Sequence, residues 1–293
     1  MPMNLVLLSQ TRKPNYRTSN IILSLLPYLQ SSLNCSVIMF ILHQIEGYKD
    51  IQKEFISPTL HVYTSPFLAL SSSRNTCFSI ASKEYGSSAL YGFIDDDCIL
   101  PDPHSILKIL SLYEGDTFML TCPILTADTK EPFNRHVFVP KHRLLLSRRH
   151  YRSFLGGAIF TTYSAFIEAG MFDISLGLGA FYGGSEDADL FLSAMNQSIP
   201  VYSEPSFYIF HPLHRPYQYS FSTMYKYGLG RGRALRNHLS SFPVFIVSFF
   251  IFEIISNFAL AILSLLGINI YSFYRNFALF AGKLSGFSSC LPK

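Results

Sequence analysis

Charge is scarce in this 293-residue chain: Asp, Glu, Lys and Arg make up 14% of it, against 49% apolar residues. That balance excludes a disordered chain over most of the length. Twenty-three Lys and Arg against 19 Asp and Glu leave a net charge of only +4, too small an excess for a chain whose main partner is nucleic acid. Cysteine is sparse too. Cys35, Cys77, Cys98, Cys122 and Cys290 are scattered and contain no Cys-x-x-Cys pair, so they indicate neither a disulfide framework nor a zinc cage and point to a reducing compartment. No basic stretch precedes the short apolar run Leu5-Val6-Leu7-Leu8, so a secretory signal is not expected and the catalytic portion is expected in the cytosol. Internal repeats and low-complexity tracts are also lacking. The length fits one large domain, or one domain with a tail.

What is present is unevenly spread. Phe242 to Leu266 is almost continuous Phe, Ile, Leu and Val, whereas the first 240 residues alternate apolar and polar segments. The boundary is expected near Ser240, giving a domain over residues 1–240 and a helical segment over 241–293. Within the first part, β-like runs at Asn4–Leu8, Val37–Leu42 and Ala89–Ile94 alternate with helix-length segments at Ser19–Gln30 and Ser105–Tyr113. Such alternation predicts an α/β domain. Lys130–Arg152, with Pro, His and many basic residues but little periodicity, reads as a long surface loop.

The sharpest chemical feature is the apolar run Leu90-Tyr91-Gly92-Phe93-Ile94 followed at once by Asp95-Asp96-Asp97. At the carboxyl end of a strand, an Asp-x-Asp pair offers the hard oxygen ligands that Mg²⁺ or Mn²⁺ shares with a diphosphate. The same triplet could simply open a turn. Alternation along the chain predicts that Asp95 and Asp97 point the same way. Upstream, Arg74 and Asn75 precede a short helix predicted over Thr76–Lys83, where Arg74 could meet a phosphate. Downstream, a glycine-rich stretch from Gly177 to Gly184 runs into Ser185-Glu186-Asp187-Ala188-Asp189-Leu190 and a helix to Asn196. Carboxylates at a helix start serve as caps; one of these could instead be a general base on a glycine-hinged loop. Finally, Phe207-Tyr208-Ile209-Phe210-His211 places a histidine at a strand end, as a surface residue or a metal ligand.

In this order, and with Gly156-Gly157-Ala158 and Gly170-Met171-Phe172-Asp173 between them, these pieces resemble glycosyltransferase family 2, of the GT-A fold, over about Met3 to Arg236. The resemblance implies an α/β, Rossmann-like nucleotide-binding domain with a mixed central sheet. It implies a usually inverting transferase that uses a nucleotide-sugar donor and a divalent cation, Mn²⁺ or Mg²⁺. Carried over position by position, Asp95, Asp97 and His211 would hold the metal. Arg74, Asn75, Asp95 and Asp96 would line the donor, and Glu186-Asp187 would be the catalytic acidic pair with Asp187 as base. After the second strand, where family members carry an acidic pair, this chain has His43-Gln44-Ile45-Glu46. Two other readings stay beside this one: a non-catalytic membrane-attached scaffold of the same fold, and another metal-dependent phosphate enzyme.

The last segment suggests a membrane. Val244–Leu266 has about the length of a bilayer-spanning helix, but Glu253 falls near its middle, and Glu253, Asn257 and Ser264 recur at near-helical spacing. Tyr271–Gly282, interrupted by Arg275, is too short and too charged to span alone. A single span, a hairpin or interfacial pair, and a buried core helix all remain open. Lys226, Arg231, Arg233 and Arg236 fall where no acid occurs between Glu204 and Glu253, favouring the cytoplasmic face of an anionic leaflet. The expected acceptor is a saccharide or lipid-linked saccharide, as in cell-surface polysaccharide or glycolipid synthesis.

Overall fold

The structure, a computed structural model, describes residues 4–12, 37–56, 59–101, 117–133, 141–154, 156–212 and 220–289. The chain divides into two compact units, one comprising Met1–Leu68, Ser72–Met171 and Ala194–Leu213, the other Ala69–Ser71, Phe172–Ser193 and His214–Lys293. The helices expected at 19–30 and 105–113 lie outside the described residues.

The first unit is built on a nine-stranded sheet. Its strands are β1 (Asn4–Thr11), β2 (Val37–Gln44), β3 (Gln52–Ile56), β4 (Leu60–Ser65), β5 (Ala89–Phe93), β6 (Met119–Thr121), β8 (Leu144–Leu145), β9 (Ile159–Thr162) and β10 (Val201–Ser203), in the order β3-β4-β2-β1-β5-β9-β6-β10-β8. A second, two-stranded parallel sheet pairs β7 (Ile124–Thr126) with β11 (Ile209–His211). β4, β2, β1 and β5 run parallel, while β9 is antiparallel to both β5 and β6. Every residue of β2 is buried, as expected for a parallel strand covered on both faces, and this is why β1 and β2 read as continuous apolar runs. Gly92 of β5 stands opposite Phe160 of β9. A Cβ at residue 92 would lie 2.7 Å from the Phe160 ring, so only glycine leaves that ring its place.

Helix α1 (Leu70–Tyr85) is longer than the Thr76–Lys83 segment predicted. Ser71, Ser72 and Ser73 are modest helix formers that favour caps and turns. Here, however, Ser71 is buried and its hydroxyl donates to the Leu176 carbonyl at 2.7 Å, a tertiary bond that overrides local preference. Phe78 of α1 meets Tyr91 of β5 and Phe166 of α2 (Tyr163–Glu168) edge-on at 4.8 and 4.6 Å. These aromatic contacts, each worth about 0.5–1.5 kcal/mol beyond area burial, fix both helices to the sheet. Much of the expected loop over 130–152 is tied down: Arg143 pairs with Glu204 at 3.2 Å and Tyr151 is fully buried.

The second unit contains the start of α3 (Glu186–Asn196) and three long helices, α4 (Phe221–Asn237), α5 (Pro243–Leu266) and α6 (Ile270–Ser288). Ser220 caps α4 by accepting from the Thr223 amide, and Asn269 caps α6 by accepting from Ser272. Ser240 lies in the turn between α4 and α5. α4 and α6 approach to backbone contact through reciprocal glycines: a Cβ on Gly228 or Gly232 would strike the α6 backbone, and one on Gly282 or Gly286 would strike that of α4. Each glycine costs about 1 kcal/mol of helix propensity, which the close packing offsets. The buried residues of α5 are Ile246, Glu253, Asn257 and Ala261. Ser264, expected on the same polar stripe, instead donates to the Leu260 carbonyl one turn back.

Candidate active site

β5 ends at Phe93, so Asp95, Asp96 and Asp97 lie in the turn beyond it rather than in the strand. The turn is closed by the Cys98 amide donating to the Asp95 carbonyl. Strand alternation therefore no longer applies, and the three carboxylates go to three different partners. Asp95 accepts from Arg74 at 2.7 Å, Asp96 accepts from the Thr11 hydroxyl at 2.5 Å, and Asp97 faces His211 at 3.4 Å. Arg74 is only 2% exposed, held on α1 beside the half-buried Asn75. Its guanidinium fits because residues 156 and 157 are glycines: a Cβ at Gly156 would come within 2.8 Å of Arg74 Nη1, and one at Gly157 within 3.1 Å of Asp95 Oδ2. The Gly-Gly-Ala segment is a cradle for the Arg74–Asp95 pair, and Arg74, expected at a phosphate, is engaged by Asp95.

His211 closes β11, which pairs with β7, and Ile99 and Phe210 form a bridge that brings this strand end beside the acidic turn. Its Nδ1 lies 2.8 Å from the Pro212 carbonyl. A carbonyl only accepts, so Nδ1 carries the proton and Nε2, the nitrogen facing Asp97 Oδ1, is the one able to ligate. Asp97, Cys98 and His211 bring one ligand atom each to within 4.8 Å of one another. Cys98 belongs to the apolar core, and burial, with the charges of Asp95 and Asp97 adding, pushes its thiol well above the usual range. The carboxylate and imidazole therefore suit a borderline-hard divalent cation such as Mn²⁺, while the neutral thiol does not. These residues fit a metal.

In the second unit, Glu186, Asp187 and Asp189 occupy the first turn of α3 as expected. The loop before them needs left-handed backbone at Gly177 (φ 96°) and Gly179 (φ 84°), conformations that favour glycine. Glu186 is buried, and a Cβ at Gly177 would lie 3.4 Å from its Oε2. Asp187 is half-buried, its Oδ1 accepting from the Ala188 amide at 2.7 Å. Asp189 is more than a cap: it is buried and accepts from Asn237 at 2.9 Å and from His238 at 3.1 Å, both at the end of α4. Tyr182 carries Arg233 over its ring at 5.3 Å and hydrogen-bonds Ser289 at 3.0 Å. Thus α4 and the end of the chain hold the acidic loop in place. Sequence reasoning missed Thr11, Asn237, His238 and Ser289. None lies near the group it meets in the chain, and only the fold brings them together.

No protein-family model matches this sequence, and no protein of curated function matches it. Solved structures do match. The chain is similar to a mannosyltransferase, PcManGT from Pyrobaculum calidifontis, solved with GDP-Man and Mn²⁺, at a TM-score of 0.60 and 9% identity, covering 98% of this chain and 88% of that one. It also matches GalNAc-T7, solved with UDP, GalNAc and Mn²⁺, at a TM-score of 0.49 and 11% identity over 79% of this chain and 48% of that one; nothing further is drawn from that match. At 9% identity the first likeness speaks for the fold. With the mixed central sheet and the acidic turn beyond β5, it defines the class: the chain is an α/β protein of the GT-A fold with an apolar C-terminal helix.

Proposed function

We propose that this chain is a metal-dependent glycosyltransferase that moves a sugar from a nucleoside diphosphate donor to a hydroxyl acceptor. The observation that carries the reading is the convergence of Asp97 and His211 beside an Asp95 locked by buried Arg74. This is a prepared cation site at the strand ends, where open α/β sheets bind their ligands. Asp97 and His211 would hold a divalent cation, which would supply positive charge against the departing diphosphate. Arg74 and Asn75, with Asp95 and Asp96, fix the donor side. On the acceptor side, Asp187 takes the hydroxyl proton, with Glu186 beside it; the acceptor oxygen then bonds the anomeric carbon as the bond to the diphosphate breaks, an inverting single displacement. Residues 1–240 carry this chemistry, and residues 241–293 meet the cytoplasmic face of a membrane, which suits a lipid-linked saccharide acceptor.

Asp97→Asn is expected to abolish Mn²⁺-dependent donor binding in calorimetry. Asp187→Asn is expected to keep donor binding and lose transfer by about a hundredfold or more. A scaffold would lack turnover in the wild type, and near wild-type transfer by Asp187→Asn would remove the assigned base.

A further inference from the structure

The α5–α6 hairpin carries two opposed faces. Val244, Ile251, Ile255, Phe258, Ile262 and Leu266 are all exposed and recur along one side of α5, whose 24 residues extend about 36 Å. On α6, Ile270, Tyr274, Phe277 and Leu284 form a second exposed apolar stripe at the same helical spacing. Directly opposite on α5 lie Glu253 and Asn257, both buried. Glu253, 1% exposed, meets Arg231 of α4 at 3.3 Å and Lys283 of α6 at 3.1 Å, and Lys283 also donates to Asn257 at 2.5 Å.

The direction of each helix follows from its contacts. Gly228 of α4 packs against Leu279 and Gly282 of α6, and Gly232 against Lys283 and Phe287, so these two helices run in the same sense. Phe250 stacks on Phe287, and Phe258 lies near Phe280, so α5 runs opposite to α6. The midpoint of α5 is therefore tied at Glu253 to the middle of α4. On α4, Lys226 and Arg236 are exposed, roughly 15 Å apart along the helix. If α5 crossed a bilayer, its midpoint would sit in the hydrocarbon and draw these two cations, Arg231 and Lys283 in with it, where charged side chains are costly. Lying in the plane of the membrane, the same helix puts its apolar side into the acyl boundary and keeps α4 at the headgroups.

We propose that the hairpin docks on an anionic lipid bilayer as an in-plane, one-sided anchor and does not span it; this deepens the membrane reading above and rests on it. Charge selects lipid over a second copy of the chain as the occupant. From residue 205 to the end the only acid is Glu253, which is buried, while Lys226 and Arg236 of α4 are exposed. That excess of positive charge complements anionic headgroups and would repel its own copy.

The test uses the full chain with sealed vesicles of phosphatidylcholine alone or mixed with phosphatidylglycerol. Flotation with the mixed vesicles is expected, weakened by salt and by omission of the anionic lipid. Single variants Ser241→Cys and Gly267→Cys, which bracket α5, are each floated and treated from outside with a membrane-impermeant maleimide, and labelling is read peptide by peptide. Both sites are expected to react without detergent. Protection of either one until detergent is added, in a variant that floats like the parent, would overturn the in-plane anchor while leaving membrane association intact. Failure of the parent to float, with a discrete dimer in sedimentation, would overturn both and make a second copy the occupant. Donor affinity measured on the same preparations reports the transferase reading separately.

Discussion

The sheet unit leaves Asp95 and Asp97 just beyond the end of a strand; the helical unit buries Glu253 in the middle of a helix. At a strand end a carboxylate keeps part of its hydration, and Asp95 and Asp97 retain about a third of their side-chain exposure. They are thus available to a ligand. Glu253 has no such outlet and pairs with Arg231 and Lys283. The strand-end acids stay open to water, and Glu253 ties three helices together. A buried ion pair is weak support for net stability, but losing one member leaves the others stranded.

That contrast orders the expected effects. Glu253→Leu, which strands Arg231 and Lys283 in an apolar interface, should cost about 3–5 kcal/mol, seen as loss of the cooperative unfolding transition or a large fall in its urea midpoint. A change under 1 kcal/mol would mean the cations reach water and the two units handle charge alike. Arg74→Met should cost less, about 1–2 kcal/mol, because the Asp95 carboxylate is partly hydrated and its loss of a partner is screened. Donor affinity should fall with it, measured by calorimetry with saturating Mn²⁺; unchanged affinity would separate the Arg74–Asp95 pair from the donor site.

The smallest effect concerns His61, buried in β4 and stacked on Phe40 at 4.3 Å. Burial lowers its pKa below the usual 6.5, with Lys53 adding and Glu84 opposing. The unfolded chain therefore binds the proton first, so this contribution to stability is full above about pH 6.5 and is lost as pH falls through the lowered value. His61→Phe, which keeps an aromatic ring in the stack, should flatten the slope of stability against pH just below 6.5 in thermal melts. An identical slope in the variant would place the acid sensitivity elsewhere.

Parts of both units were legible in the chain. The runs at residues 4–8, 37–42 and 89–94 became β1, β2 and β5, extended by a residue or more in the first two, because strands covered on both faces need uninterrupted apolar residues. The start of α3 at Glu186 and the strand ending in His211 also stood where their patterns put them. The orientation of the acids did not. Asp95 and Asp97, two residues apart, diverge because the chain turns after Phe93 and because Arg74 and His211 approach from different elements. Asp189, with the pattern of a helix cap, proved a buried acceptor because Asn237 and His238 arrive nearly fifty residues later.

The amino-acid sequence by itself determined the alternating α/β plan, the acidic turn after an apolar strand, the glycine-led acidic helix and the long apolar helix near the end. Each is a local pattern of periodicity or of adjacent residue types, and such patterns act within a few residues. Only the tertiary structure decided which carboxylate met which partner. The same holds for the lone acid of α5, which two cations neutralise, and for the glycines of α4 and α6, which let two backbones touch. Those outcomes depend on groups far apart in the chain, and their free energy exists only once burial removes the water that would otherwise satisfy each group alone.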